Sequence, residues 1–239
     1  MHCNLARFNY CVMAVLAFCV TAASAAETKA TLTDAEKKDG WVLLFDGETT
    51  AGWKKIGAAE FPKEAWEIVD GCLHRKSGHG NDIVTTDTYE NFELSLEWKI
   101  APGGNSGVKY RVADVAGAGF GPEMQVLDDS KHPDGKDPKS SAGSLYLLFA
   151  PNDKKKLKPV DEFNVAKVVV NGNHAEHWLN GEKIVEYEFY SDEWKAAVAL
   201  SKFKGKANYG TPAKNHILLQ DHGNEVWLRN IKIKVLPAK

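Results

Sequence analysis

The sequence predicts an all-β sandwich or jelly roll carrying one short helix. The first observation is a period of two: Phe92, Leu94, Leu96, Trp98 and Ile100 alternate with Glu93, Ser95, Glu97 and Lys99. That is the signature of a strand buried on one face. The second is a series of tight-turn pairs, Asp70-Gly71, Asn171-Gly172 and Asn180-Gly181. Asn, Asp and Gly tolerate the positive φ that two-residue hairpins require. The third is that helical periodicity is confined to one stretch, so strands do not alternate with helices.

The elements follow in chain order. Residues 10–26 are uncharged, Arg7 is the only Lys, Arg, Asp or Glu before Glu27, and the run closes on Ala23-Ser24-Ala25. This fits a cleaved signal peptide over residues 1–25, so export to the periplasm or the outside is expected. The run is short of the roughly 20 apolar residues of a membrane span. Phe18 before Cys19 argues against a lipoprotein cleavage site. Cys3, Cys11 and Cys19 would leave with the signal, so Cys72 would have no intrachain partner. Residues 26–39 read as a polar leader with a helical turn at Thr33-Asp34-Ala35-Glu36, and residues 40–239 as one domain without a Pro/Gly-rich linker.

Within that domain, Asp70-Gly71 joins strands Trp66–Val69 and Cys72–Arg75, and residues 164–189 form a three-stranded meander. Further strands are expected at residues 42–45, 83–85, 107–112, 123–127, 144–148 and 216–220. In the last segment Val226 and Leu228 lie on one parity and Ile231, Ile233 and Val235 on the other, which predicts a bulge or a switch of face. The one convincing helix covers residues 192–203, with Asp192 as its N-cap.

Composition narrows the function. Lys and Arg total 30 against 32 Asp and Glu, so there is no basic surplus for phosphate neutralisation and no nucleic-acid partner is expected. Seven Trp, seven Tyr and ten Phe supply large apolar surfaces for a disulfide-free core. No P-loop or dinucleotide fingerprint is present, and Gly117-Ala118-Gly119-Phe120-Gly121 reads as a mobile loop. His174-Ala175-Glu176-His177 lacks zincin spacing, and residues three apart on a strand face opposite ways.

Three strands carry paired polar side chains. Asn105-Ser106-Gly107-Val108-Lys109-Tyr110-Arg111 sets Gly107, Lys109 and Arg111 on one face. Gly121-Pro122-Glu123-Met124-Gln125-Val126-Leu127-Asp128-Asp129 sets Glu123 and Gln125 together. Asn215-His216-Ile217-Leu218-Leu219-Gln220-Asp221-His222-Gly223 sets Gln220 with His222. Any one such face is more simply a solvated surface; three together fit the floor of a sugar-binding groove. Glu123, Gln125 and Asp128 imitate the carboxylate run of laminarinase-type glucanases. An amide stands in the middle, however, and residues five apart on a regular strand face opposite ways. A two-carboxylate mechanism, which needs carboxyls about 5–5.5 Å apart, is therefore poorly served.

Taken in order, these segments resemble the 3-keto-disaccharide hydrolase family. The Phe92–Lys99 strand, the Asn105, Gly121 and Leu219-Gln220-Asp221-His222-Gly223 segments, and His177-Trp178-Leu179-Asn180-Gly181 carry the likeness. Trp41-Val42-Leu43-Leu44-Phe45-Asp46-Gly47 with Gly52-Trp53 and Arg229-Asn230-Ile231-Lys232-Ile233 extend it to roughly residues 40–236.

The resemblance implies a concanavalin-like jelly roll acting on glycosides oxidised to a ketone at sugar carbon 3. The oxidation would belong to a separate nicotinamide-dependent sugar 3-oxidoreductase. A 3-ketone acidifies the proton on carbon 2, so a base can remove it and the oxygen on carbon 1 can leave; water addition completes a formal hydrolysis. Such a site needs a base, a cation or donors for the enolate, and an acid. Glu123 or His222 is the expected base and His132 a second acid/base. Lys109 or Arg111 would meet the enolate oxygen, and Asn105, Gln125, Asp128 and Gln220 the sugar. The Asp/His-rich loop 128–134 could also hold a divalent metal. The rival functions are a non-catalytic carbohydrate-binding module and a laminarinase-like hydrolase.

Overall fold

The computed structural model describes Met1 and residues 29–76, 81–114, 119–206, 208–211 and 213–237. Apart from Met1, the expected signal peptide lies outside them, as do Gly117 and Ala118. The chain runs α1 (Asp34–Lys38), β1 (Trp41–Leu43), β2 (Trp53–Lys55), β3 (Trp66–Val69), β4 (Cys72–Arg75), β5 (Ile83–Thr85), β6 (Phe92–Ile100) and β7 (Asn105–Val112). It continues through β8 (Glu123–Leu127), β9 (Asn164–Asn171), β10 (His174–Leu179), β11 (Glu182–Glu188), α2 (Asp192–Ala199), β12 (His216–Leu219) and β13 (Val226–Val235).

Two antiparallel sheets form a jelly-roll sandwich. The larger has the order β11-β10-β9-β6-β13-β4-β3, with β1 also paired to β13, and the smaller the order β2-β5-β12-β7-β8. The period of two in β6 explains the layering. Phe92, Leu94, Leu96, Trp98 and Ile100 are buried between the sheets, against Val108, Met124, Val126, Ile217 and Leu219 of the smaller sheet. Each such side chain contributes about 1.5–3 kcal/mol. One polar cluster spans this core: the Tyr110 hydroxyl of β7 lies 2.8 Å from His177 Nε2 of β10 and 2.7 Å from the Tyr187 hydroxyl of β11. His177 is thus a satisfied core residue.

Asp70 (φ 48) and Gly71 (φ 70) close the β3–β4 hairpin as expected. In the meander, Asn171 pairs with His174, so Gly172-Asn173 forms the first turn, one residue later than the sequence predicts. β13 switches faces at Asn230 (φ 51), where its register to β6 shifts; Val226 and Leu228 are buried before the break and Ile231 and Ile233 after it.

Two expectations fail for local reasons. Ser191, not Asp192, caps α2, its hydroxyl accepting the Trp194 N–H at 3.1 Å. The helix stops at Ala199 because the Ser201 hydroxyl donates to Val198 O and accepts the Phe203 N–H, replacing the helical ladder with a turn. Residues 144–148 form no strand. Leu147 sits at φ 63, and Leu145 makes only single bridges to Met124 and Phe149. No helix among the described residues is long and apolar enough to cross a membrane.

Candidate active site

β7 and β8 pair Lys109 with Glu123 and Gly107 with Gln125. Strand alternation turns all four away from the core. On that face lies a polar cleft. Gln220 and His222, just beyond β12, form one side; Tyr146, Lys202 and Phe203 form another, and Gly119, Phe120 and Gly121 a third. The expected polar faces are not a solvated surface: Glu123 is 6% exposed and Gln125 1%.

Lys109 Nζ stands 3.8 Å from Glu123 Oε2 and donates to Gly119 O at 3.2 Å. Burial pushes the Glu123 carboxyl above the ordinary carboxylate range, with Lys109 and Lys202 pulling it down and Asp82 pushing it further up. Glu123 is the only carboxyl among the described residues lining the cleft. Gln125 Nε2 donates to Ser140 O at 3.2 Å. The buried Oε1 atoms of Gln125 and Gln220 have no partner among the described residues. Two orphaned acceptors suit the hydroxyls of a sugar, since a buried polar atom is costly until paired.

Asn105 lines the same cleft, and its amide lies 3.5 Å from His132 Nε2. His132 Nδ1 accepts the Asp134 N–H at 3.1 Å, which places a neutral ring's proton on Nε2. The His132 and His222 rings meet edge to face at 6.3 Å. Asn105, Lys109, Glu123, Gln125, Gln220 and His222 therefore converge, with His132 one layer behind.

Arg111 and Asp128 do not join them. Three residues of β7 span Lys109 to Val112 while two of β12 span Leu218 to His216, so β7 carries an extra residue, and Arg111 lies at φ 53. This bulge breaks the alternation that would have aligned Arg111 with Lys109. Its guanidinium is instead buried over the Phe189 ring at 3.9 Å and donates to Gly210 O and Gly172 O at 3.0 and 2.6 Å. Asp128 is a turn residue: its carboxylate accepts from Ser130 N–H and hydroxyl and from Gly103 N–H. Partial burial opposes the shift, but these bonds hold its carboxyl below the usual range.

The 128–134 loop also uses its carboxylates internally. Asp129 accepts from Ala142 N–H at 2.7 Å and pairs with Lys155, which leaves no converged ligand set there. Among the described residues, three ligand atoms converge only at His174, Glu176 and Glu186, on the other sheet. Lys183 already bridges those two carboxylates.

Sequence reasoning missed Tyr146, Phe120, Lys202, Phe203 and Asp82. Tyr146 is delivered by a strandless turn, its N–H donating to Glu123 O at 3.0 Å. Lys202 is delivered by the early end of α2, and its Nζ lies 4.5 Å over the Tyr146 ring. Neither has a periodic signal.

Comparison with known proteins agrees with this architecture. The family model of the 3-keto-alpha-glucoside-1,2-lyase-like domain matches residues 40–234. A 3-keto-disaccharide hydrolase of Bacteroides thetaiotaomicron is 35% identical, the match covering 83% of this chain and 79% of that protein. A candidate glycosyl hydrolase from Parabacteroides distasonis superposes with a TM-score of 0.80 at 32% identity, covering 87% of this chain and all of that one. A second from the same organism gives 0.62 at 27% identity, covering 82% and 99%. With nearly the whole described β-sandwich matched, the chain belongs to the 3-keto-alpha-glucoside-1,2-lyase-like domain family.

Proposed function

We propose that the cleft cleaves 3-keto-glycosides, 3-keto-disaccharides among them, by elimination followed by water addition. The observation that carries this reading is the Lys109–Glu123 pair, which holds the single carboxyl of the cleft lining among the described residues. A glycosidase working by paired carboxylates needs two such groups across the bond. An elimination beside a ketone needs one base and one cation.

In the proposed sequence the Glu123 carboxylate takes the proton from carbon 2, and the C2–H electron pair forms the enolate. The Lys109 ammonium stabilises the negative charge on the oxygen at carbon 3. The enolate then collapses toward carbon 1, the glycosidic C–O bond breaks, and His222 protonates the departing oxygen. Addition of water across the resulting double bond gives the formal hydrolysis product; release before that step gives a lyase product. Gln125 and Gln220 orient hydroxyls through their unpartnered oxygens, and Phe120 and Tyr146 offer apolar faces to the sugar's C–H surfaces.

The same reading places the protein outside the cytoplasm, on the signal-like pattern of residues 1–25. Because a 3-ketone is two electrons more oxidised than the parent alcohol, a nicotinamide-dependent sugar 3-oxidoreductase is the proposed supplier of substrate. The test pairs a 3-keto-glycoside with its unoxidised parent. Cleavage of the ketone alone, lost in Glu123→Gln, is the expected result. Cleavage of the parent, or binding of both without cleavage, would overturn the reading.

A further inference from the structure

Behind the Gly119 backbone that receives the Lys109 ammonium lies a carboxylate that does not line the cleft, Asp82. Asp82 immediately precedes β5, and its Oδ1 accepts the Asp221 N–H at 2.7 Å. Its Oδ2 lies against the backbone of Gly119, where an added Cβ would come within 3.0 Å of it. The carbonyl of that same Gly119 accepts from Lys109 Nζ at 3.2 Å. Lys109 Nζ therefore touches both Glu123 and the Gly119 backbone against which Asp82 is seated.

Asp221, a third carboxylate here, already holds a cation of its own. Its side chain is fully buried and pairs with Arg75 Nε at 2.7 Å, while also accepting the Asn81 and Gly223 N–H groups at 2.8 and 2.9 Å. Arg75 is thus held by Asp221, while Asp82 has no ion-pair partner of its own among the described residues.

We propose that Asp82 is a positioning residue of this cleft, seated behind the Gly119 backbone that holds Lys109, and that it maintains Glu123 as a strong base. The inference rests on the reading of Glu123 and Lys109 given above. One buried lysine beside one carboxylate stabilises the ionised carboxylate and weakens it as a base. A second carboxylate nearby adds negative charge, which restores proton affinity to the first. The groups facing Glu123 are Lys109 from β7, Lys202 from the turn after α2, Asp82, and the hydroxyls of Tyr146 and Tyr209. Those facing Asp82 are Lys109, Asp221 and His222. Burial raises the proton affinity of both carboxyls, and Asp82 raises that of Glu123 further.

The test is a site-resolved carbon-13 carboxyl titration of Glu123 in the full chain, compared between wild type and Asp82→Asn. The expected result is a Glu123 midpoint moved to lower pH in Asp82→Asn and to higher pH in Lys109→Met. With a 3-keto-glycoside, the acid limb of the Asp82→Asn kcat profile should move the same way, and kcat should fall about tenfold as the base weakens. A purely structural role would lower activity without moving the midpoint, and an unmoved midpoint in folded Asp82→Asn overturns the proposal. If that variant does not fold, the wild-type curves decide: two-step titration shared by Asp82 and Glu123 sustains the coupling, and independent single steps overturn it. The titration needs no substrate, so a wild-type protein inert on 3-keto-glycosides would sink the functional reading alone.

Discussion

Lys109 and Glu123 are directly opposed residues of β7 and β8, with their charged ends 3.8 Å apart on the face turned from the core. The cross-strand register fixes both side chains without a long loop. At that separation the pair is an electrostatic couple, and Glu123 retains the raised proton affinity that burial gives it. Glu123→Gln keeps the shape and removes the base. Steady-state kinetics on a 3-keto-glycoside should show kcat reduced about 10²–10⁴-fold, with circular dichroism unchanged.

Gly107 is where Glu123 obtains its space. A Cβ there would fall 2.1 Å from Glu123 Oε1, so any side chain must push the carboxyl aside. Because the obstructing atoms belong to a flexible side chain, Gly107→Ala should fold while misplacing the base. The expected loss is about 10²-fold in kcat. A crystal structure of the variant should show the Glu123 carboxyl displaced.

Arg111 gives the opposite prediction. Its guanidinium ties the β7 bulge to Gly172 and Gly210 and covers Phe189. Arg111→Met leaves Gly172 O without its donor and Gly210 O with the Tyr190 hydroxyl alone, and with the lost cover of Phe189 should cost about 2 kcal/mol of stability. Denaturant unfolding measures that loss, while turnover per folded molecule should stay near wild type. A large fall in kcat in fully folded Arg111→Met would return Arg111 to the reaction.

His177 predicts how stability depends on acid. Burial pushes its imidazole down to about 4, below the ordinary 6.5. The unfolded chain therefore binds a proton that the folded one refuses. The contribution is fully present above pH 6.5 and is lost progressively as the pH falls toward about 4, amounting to about 3 kcal/mol. Unfolding free energies for wild type and His177→Gln across this range should show the variant with a flatter acid dependence.

The strands and the paired polar faces were legible because both are periodic. β6 alternates without interruption, so its buried side could be read directly, and the polar faces of Lys109 and of Glu123 follow from the same rule, whereas their pairing is a matter of cross-strand register. Arg111 was misread because a bulge adds a residue without altering the local composition; only its left-handed backbone reveals it. Asp128 takes the third position of the Glu123, Gln125, Asp128 run, but its side chain closes a turn beyond the end of β8. Tyr146 and Lys202 reach the cleft, and Asp82 the backbone behind it, from segments far apart in the chain, and their placement depends on tertiary packing that no local pattern encodes.

The central claim is proton abstraction at carbon 2, and isotope incorporation addresses it most directly. A 3-keto-glycoside should be cleaved in heavy water, and its product compared by mass spectrometry with the same product held in heavy water without enzyme. The account predicts one deuterium at carbon 2 above that control. Rapid cleavage giving product with no excess deuterium at carbon 2 would contradict it and indicate direct displacement at carbon 1.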